Sequence, residues 1–152
     1  MYGAFKFLHI LGVILLLGNV TASAVWKVFA NRTRNPVIVA FAQRLVTYTD
    51  WSLTLGGVLL IAIGGYGMVI AAEMNLWVGW LLWGQGLFVA SGLVWLLKLV
   101  PLQIAQSRYI LRFSDAGEVD QEYWTLCRDW IFWGAVATVP LVIAVYMMVV
   151  KS

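Results

Sequence analysis

The sequence contains a single histidine, His9, and this side chain is its clearest candidate for chemistry. It lies close to the start of a long apolar stretch at 5–26. An imidazole in such a place is either a hydrogen-bonding interior group or a metal ligand, and it is a usual axial ligand of heme iron. We therefore predict, as the specific hypothesis, that His9 binds heme b. The second axial ligand would be Met147, Gln85, water or His9 of a second protomer.

Glycines are concentrated in the second apolar stretch, where Gly64, Gly65 and Gly67 surround Tyr66. Glycine has a low helix propensity but is common in membrane helices, because it allows helices to approach closely. One interpretation is therefore tight helix packing. The other is that Gly64, Gly65 and Tyr66 leave room for a flat cofactor at the depth of His9.

A second group of polar residues consists of Lys27, Arg44, Asp50 and Lys98, which helix rise places at similar depth near the cytoplasmic face. Asp50 could pair with Arg44 or with Lys98. The alternative is that the cations follow membrane topology and extend to the interface by snorkelling. No other catalytic arrangement is recognisable, since the lone cysteine, Cys127, has no histidine at its depth. The sequence leaves open whether the protein is an enzyme.

The composition indicates that lipid is the main solvent of this chain. It is 62% hydrophobic and only 11% charged, against roughly 25% charged in soluble domains. The net charge of +3 is spread over connecting segments, a distribution that fits topology and anionic headgroups rather than nucleic acid. Nine tryptophans are consistent with anchoring at bilayer interfaces.

Four stretches are long enough to cross a bilayer, which requires about 20 apolar residues in a helix. An isolated strand would leave backbone groups unpaired in lipid, so all four are predicted to be helical. The predicted fold class is therefore all-α, a polytopic membrane four-helix bundle formed by a single transmembrane domain, 1–152. Its predicted spans are 5–26, 51–72, 76–102 and 130–150.

The connections contain recognisable helix ends and turns. Asn35 and Pro36 are typical of a helix start, and the helix that follows is predicted to continue into the second span. Turns are predicted at 72–75 and at 115–117. Pro101 is expected to kink or end the third span, because proline cannot donate a backbone hydrogen bond.

Helical rotation of about 100° per residue defines one distinctive face on the first span. Polar groups are costly in hydrocarbon unless they are paired, so this face should point toward the other helices. In the third span, Gly84, Ser91 and Lys98 share a face through their seven-residue spacing. The face of the first span is mostly polar, with one residue per turn: His9, Gly12, Leu16, Asn19, Ser23 and Lys27.

Lysine and arginine are concentrated in the connections between the first and second spans and between the third and fourth. The positive-inside rule then places both connections in the cytoplasm and both termini outside, in the bacterial inner membrane. Residues 1–24 also resemble a secretory signal. The apolar run continues through Val25 and Trp26, which favours a retained helix.

A set of short motifs runs through the chain: KFLHILGVILLLGN, Asn35-Pro36, Arg44, Asp50-Trp51, WLLKLVPLQ and Tyr123-Trp124. Together they resemble a family of predicted bacterial integral membrane proteins with four spans and no established function. The resemblance covers almost the whole chain.

A more distant likeness is to the HemJ-type protoporphyrinogen oxidases and the CopD-type copper-resistance membrane domains, whose first helix also opens with a histidine. In the HemJ type, that histidine and a lysine early in the third span are associated with heme b. The resemblance implies heme binding at His9. The early third span here is LWVGWLLWGQG, without lysine, and Lys98 lies about 30 Å deeper, too far to share a heme with His9.

Three functional classes remain open. The first is a membrane protein that binds heme b. The second is a non-catalytic accessory or structural subunit, acting as a homo-oligomer or within a larger membrane complex, which the small residues and short connections suit. The third is a small dimeric transporter, although the middle of the spans offers no ionisable group for coupling.

Overall fold

The computed structural model describes residues 1–113 and 117–151, and over these residues the protein is helical without strands. The helices in chain order are α1 (Tyr2–Arg32), α2 (Pro36–Thr49), α3 (Leu55–Ala71), α4 (Gly79–Val94), α5 (Val100–Phe113) and α6 (Gln121–Val150). A π-helical turn, Asp50–Thr54, joins α2 to α3, and a second π-helical turn, Trp95–Leu99, joins α4 to α5.

The prediction of an all-α membrane bundle is confirmed. Each spanning helix continues past its predicted apolar stretch, on the side of the basic connections. In the described part of the chain, four continuous helices are long and apolar enough to cross a membrane: Tyr2–Arg32, Pro36–Ala71, Gly79–Arg112 and Gln121–Val150.

One of the two predicted turns differs from the structure, and the other lies largely outside the described residues. The turn predicted at 72–75 is part of a longer connection, because α4 begins only at Gly79. Asp115 and Ala116, the first two residues of the other predicted turn, lie outside the described residues.

The start of α2 is as predicted. The side-chain oxygen of Asn35 accepts hydrogen bonds from the backbone nitrogens of Val37, at 3.0 Å, and Ile38, at 3.4 Å. Pro36 follows in the first turn, where its missing N–H has no consequence. The helix then runs through the first π-helical turn into α3, so the second span begins well before its apolar stretch.

The third long helix does not end at Pro101. Proline cannot donate to the preceding turn, and that turn, Trp95–Leu99, is π-helical, which adds about one residue to it. The added residue changes which side chain follows Ser91 on the buried face. Leu99 is buried and Lys98 is exposed, so the predicted face ending in Lys98 is wrong.

The bundle consists of two halves that pack differently. In the half near the termini, α1 packs on α3 and α4 packs on α6, while the backbones of α3 and α4 stay apart over the described residues. In the other half, α2 and α5 contact each other and also pack on α1 and α6, respectively. We call these the termini half and the loop half.

Candidate functional site

A cleft of about 650 Å³ lies between the two helix pairs of the termini half. Its walls come from α1, α3, α4 and α6, and its surface is mostly apolar. This volume is within the range of about 300–1,000 Å³ that is typical of small-molecule sites. The residues that line the cleft include Lys6, His9, Val13, Leu16, Ile61, Gly65, Tyr66, Gln85, Phe88, Leu141, Met148 and Lys151.

His9 lies in the wall of the cleft with one ring nitrogen already hydrogen-bonded. Its Nδ1 is 2.9 Å from the carbonyl oxygen of Ile61 on α3. A carbonyl oxygen can only accept, so Nδ1 donates, and the neutral ring then carries its lone pair on Nε2. A hydrogen bond of this kind orients histidines that bind a metal through their other nitrogen. The arrangement therefore suits a metal ligand, and it equally satisfies an interior histidine.

The glycines of α3 differ in their surroundings: some contact α1 and one lines the cleft. A β-carbon at Gly64 would lie 2.5 Å from the backbone nitrogen of His9, and one at Gly67 would overlap the ring of Phe5. These two glycines allow close packing of α1 on α3, so the predicted room for a flat cofactor at Gly64 is filled by the helix itself. Gly65 does line the cleft, where a β-carbon would lie 3.2 Å from Nδ1 of His9.

Tyr66 and Gln85 line the cleft and are joined by a hydrogen bond. The Tyr66 hydroxyl donates to Oε1 of Gln85 at 3.3 Å. The Gln85 Nε2 donates to the carbonyl oxygens of Leu81, at 3.2 Å, and Leu76, at 3.4 Å. The Gln85 amide is thus hydrogen-bonded at both its oxygen and its nitrogen, and its role as an axial ligand stays a prediction.

Of the two adjacent methionines near the end of α6, Met148 lines the cleft and Met147 does not; Met68 and Met74 line it as well. Adjacent helical residues differ by about 100° in direction, which is why only one of the two lines the cleft. Met148 covers Gly84, where an added β-carbon would overlap the methionine methyl group. The predicted placement of Met147 as a partner of His9 is therefore off by one residue.

The loop half contains a network of buried polar side chains, which we call the polar core. Its acidic member, Asp50, accepts hydrogen bonds through Oδ1 from Asn19 and Thr54, both at 3.0 Å, and through Oδ2 from Gln103. Ser23 in turn donates to the side-chain oxygen of Asn19 at 3.4 Å. The members of the polar core are Asn19, Ser23, Lys27, Gln43, Asp50, Thr54, Gln103, Gln106 and Tyr123.

Lys27 is the basic member of the polar core and is only 1% exposed. Its Nζ donates to the side-chain oxygens of Gln43 and Gln106, the latter at 2.6 Å. It also lies 4.4 Å from the ring centre of Trp130, a cation–π geometry. The Tyr123 hydroxyl donates to the same oxygen of Gln43 at 3.4 Å. Uncharged acceptors and an aromatic face therefore surround the lysine nitrogen.

The predicted cytoplasmic-side cluster of Lys27, Arg44, Asp50 and Lys98 is only half right. Lys27 and Asp50 belong to the polar core, whereas Arg44 and Lys98 are exposed. Lys98 instead lies 5.0 Å from the ring centre of Trp133. Asp50 pairs with neither cation, because α2 directs Arg44 outward and the second π-helical turn rotates Lys98 away from the bundle.

A family model described as a predicted integral membrane protein (DUF2269) matches residues 4–152. The chain belongs to this family. No curated protein and no solved structure matches the chain significantly. The family description as an integral membrane protein agrees with the four helices of this chain that are long and apolar enough to cross a membrane.

Sequence reasoning missed four polar-core residues, Gln43, Gln103, Gln106 and Tyr123, although the spacing of the three glutamines carried a signal. Gln103 and Gln106 lie beyond Pro101, where the span was predicted to end. Leu99, Gln103, Gln106 and Ile110 nonetheless follow the spacing of one helix face, as do Val39, Gln43 and Val46 in α2. A polar residue that replaces an apolar one within such a face indicates a buried hydrogen bond. Tyr123 had no such signal.

Proposed function

We propose that this integral membrane protein binds heme b in the cleft, with Nε2 of His9 as the axial ligand. The observation that carries the proposal is the hydrogen bond from Nδ1 of His9 to the Ile61 carbonyl oxygen, made in the wall of an apolar cleft. This bond holds the ring in place and leaves Nε2 as the nitrogen with a lone pair.

The donor set supports a metal that brings most of its own ligands. No group of three or more His, Cys, Asp or Glu side chains lies close enough to hold a metal ion in the described part of the chain. A heme iron already has four porphyrin nitrogens and needs only axial ligands from the protein. Met148 offers a thioether and Gln85 an amide oxygen in the same cleft, and water or His9 of a second protomer are the other sources.

The charges at the cleft support an acidic, largely apolar ligand. Lys6 and Lys151 are the cations among its lining residues, and they lie at the ends of α1 and α6 nearest the termini. Heme b combines an apolar macrocycle with two carboxylates, so Lys6 and Lys151 would hold its acidic edge. When bound, heme supplies one-electron redox chemistry, and His9 would set the iron's axial field.

The distribution of cations supports an orientation with both termini on the outer side of a bacterial inner membrane. Lys6 and Lys151 are the cations at the termini end, whereas the arginines lie toward the loop half. Since basic segments are retained in the cytoplasm, the polar core would lie on the cytoplasmic side and the cleft on the outer side. The arginines are Arg32, Arg34, Arg44, Arg108, Arg112 and Arg128.

The visible absorption spectrum of the purified protein tests the proposal. After expression with adequate heme, we expect a Soret band that is lost or shifted in His9→Ala. Added imidazole should restore the wild-type band, because it occupies the space of the missing ring. The matched control is Tyr66→Phe, which changes the same cleft without removing the ligand. A wild-type protein without a Soret band, or an unchanged band in folded His9→Ala, contradicts heme binding through His9.

A second candidate is a non-catalytic accessory subunit, acting as a homo-oligomer or in a larger membrane complex. The supporting observation is Gly18 on α1, where an added β-carbon would meet no atom within 4 Å. With Ala22 it forms a small-residue pair of the type that membrane helices use for close contact. Native electrophoresis of the membrane extract tests this: wild-type protein should migrate in an assembly that Gly18→Leu disrupts, and wild-type migration as a monomer argues against it.

A further inference from the structure

The polar core contains one basic and one acidic side chain, and neither contacts an oppositely charged side chain among the described residues. Lys27 is 1% exposed and Asp50 is 5% exposed. The ion pair formed in the described part of the chain is Arg128 with Asp129, on the surface. An ionisable group inside a membrane bundle is costly, and its presence there indicates a functional role more often than a stabilising one.

Polar side chains on the same helix faces bind these two groups one turn apart. Gln103 donates to Asp50, and Gln106, one turn later on α5, accepts from Lys27. On α1, Ser23 lies between Asn19, which donates to Asp50, and Lys27. The polar core thus consists of two adjacent hydrogen-bonded groups, one around Asp50 and one around Lys27, which follow each other along α1 and α5.

Gln106 can donate a further hydrogen bond to a small polar molecule within the polar core. The residue is fully buried, and its Nε2 has no hydrogen-bond acceptor among the described side chains and backbone groups. A buried amide nitrogen of this kind is usually satisfied by water, which can also pass protons along. Nε2 of Gln106 therefore marks a place where water can join the Lys27 end to the Asp50 end.

The ends of the network lie toward opposite sides of the bundle. Asn19, at the Asp50 end, is one helical turn from Leu16, which lines the cleft. Tyr123, at the Lys27 end, lies two residues after the start of α6 at Gln121. The polar core thus extends from below the cleft to the end of the bundle that carries the basic connections.

We propose that the polar core carries protons between the cleft and the loop end of the bundle, with Asp50 and Lys27 as its two proton-binding sites. The other titratable side chains against these sites are Tyr123 and Cys127, both buried on α6. Heme binding is not required for this activity.

The steps balance in charge and protons. In the resting protein Asp50 is a carboxylate and Lys27 is an ammonium group, so the core is neutral. A proton from the cleft binds the carboxylate, and Lys27 releases one toward the loop end, which leaves both groups uncharged. Transfer of the Asp50 proton to the Lys27 amine, past Gln103 and Gln106, restores the resting charges. One proton has then crossed the core without a lasting unpaired charge.

Proton flux into liposomes tests the proposal directly. The purified protein is reconstituted with the pH-sensitive dye pyranine inside, and a potassium gradient with valinomycin provides the driving force. Wild-type protein should acidify or alkalinise the lumen faster than protein-free liposomes, according to the sign of the potential. Asp50→Asn should remove this flux, since an amide cannot take up the proton. Lys27→Arg should also remove it, because a guanidinium keeps the charge but does not deprotonate in proteins.

Two exposed residues provide matched controls. Lys98→Met and Asp129→Asn remove a cation and a carboxylate outside the polar core and should leave the flux unchanged. Circular dichroism and gel filtration establish which variants are folded. Wild-type flux no faster than that of protein-free liposomes overturns the proposal, even if a polar-core variant fails to fold. Wild-type flux in folded Asp50→Asn or Lys27→Arg overturns it as well.

Discussion

The termini half and the loop half are built from the same four spanning helices, yet one encloses an apolar cleft and the other a buried polar network. In the termini half, glycines bring α1 against α3, and the cleft separates this pair from α4 and α6 except where Tyr66 donates a hydrogen bond to Gln85. In the loop half, α2 and α5 fill the space between α1 and α6, and polar side chains from α1, α2, α5 and α6 meet.

The difference follows from the solvent. Lipid tails are as apolar as leucine, so an apolar gap between membrane helices costs little when acyl chains or a ligand occupy it. An unpaired polar group has no such substitute in hydrocarbon. We infer that buried polar contacts hold the loop half together, and that the termini half can remain open because one exposed hydrogen bond, from Tyr66 to Gln85, is the polar contact described across its cleft.

The largest expected effect comes from breaking the polar core. Asp50→Ala removes the acceptor for Asn19, Thr54 and Gln103 and leaves buried donors unsatisfied. We expect the free energy of unfolding in detergent micelles to fall by about 3 kcal/mol. Asp129→Ala, at an exposed carboxylate, should change it by no more than about 0.5 kcal/mol. Equal effects of the two substitutions would show that the polar core does not stabilise the loop half.

The next largest effect should come from the contact between α1 and α3. A β-carbon at Gly64 would press on the backbone of α1, which cannot move aside as a flexible side chain would. Gly64→Ala should therefore lower the free energy of unfolding by about 2 kcal/mol.

Gly56 on the same helix is the control, because an added β-carbon meets no atom within 4 Å. Gly56→Ala should leave the stability unchanged or raise it by up to about 1 kcal/mol through helix propensity. Thermal unfolding of both variants, followed by circular dichroism, makes the comparison. If both behave alike, the helix pair is not held by close glycine contacts.

A smaller effect is expected at His9. His9→Ala loses one hydrogen bond to Ile61 from a partly buried side chain, worth about 1 kcal/mol. The free energy of unfolding is measured on heme-free protein, so that ligand binding does not contribute to the difference between wild type and variant. A loss as large as that of Asp50→Ala would mean that His9 is primarily a structural residue, and that the termini half depends on polar contacts after all.

The smallest effect should come from the cations that lie outside the polar core. Lys98→Met and Arg44→Ala remove exposed side chains, and each should change the free energy of unfolding by less than about 0.5 kcal/mol. Chemical denaturation in micelles is sufficient for this comparison. A substantial loss in either variant would place that cation back in the cluster predicted from sequence.

Much of the fold could be predicted because membrane helices leave strong signals. Apolar length predicted four spans, Asn35 and Pro36 predicted the start of α2, and the polar face of the first span predicted the burial of Asn19, Ser23 and Lys27. These features depend only on residues near one another in sequence.

The site was predicted less completely because its details depend on helix phase. The second π-helical turn, which precedes Pro101, changes the phase of everything that follows. It exposes Lys98 and buries Leu99, Gln103 and Gln106, and an α-helical projection cannot show this. The choice between Met147 and Met148 likewise depends on a rotation of one residue, which requires the packing of α6 against α4.

The second π-helical turn also determines where a single residue can be deleted from this chain without changing the register of the helix faces. A π-helical turn is equivalent to one residue inserted into an α-helix. Deleting a residue within Trp95–Leu99 would convert it to a regular turn and keep both flanking faces in register, at the cost of about 1.5 Å of length. The same deletion inside α4 would rotate Ser91 by about 100° relative to the rest of the helix. We therefore expect relatives of different length to gain or lose a residue at this turn.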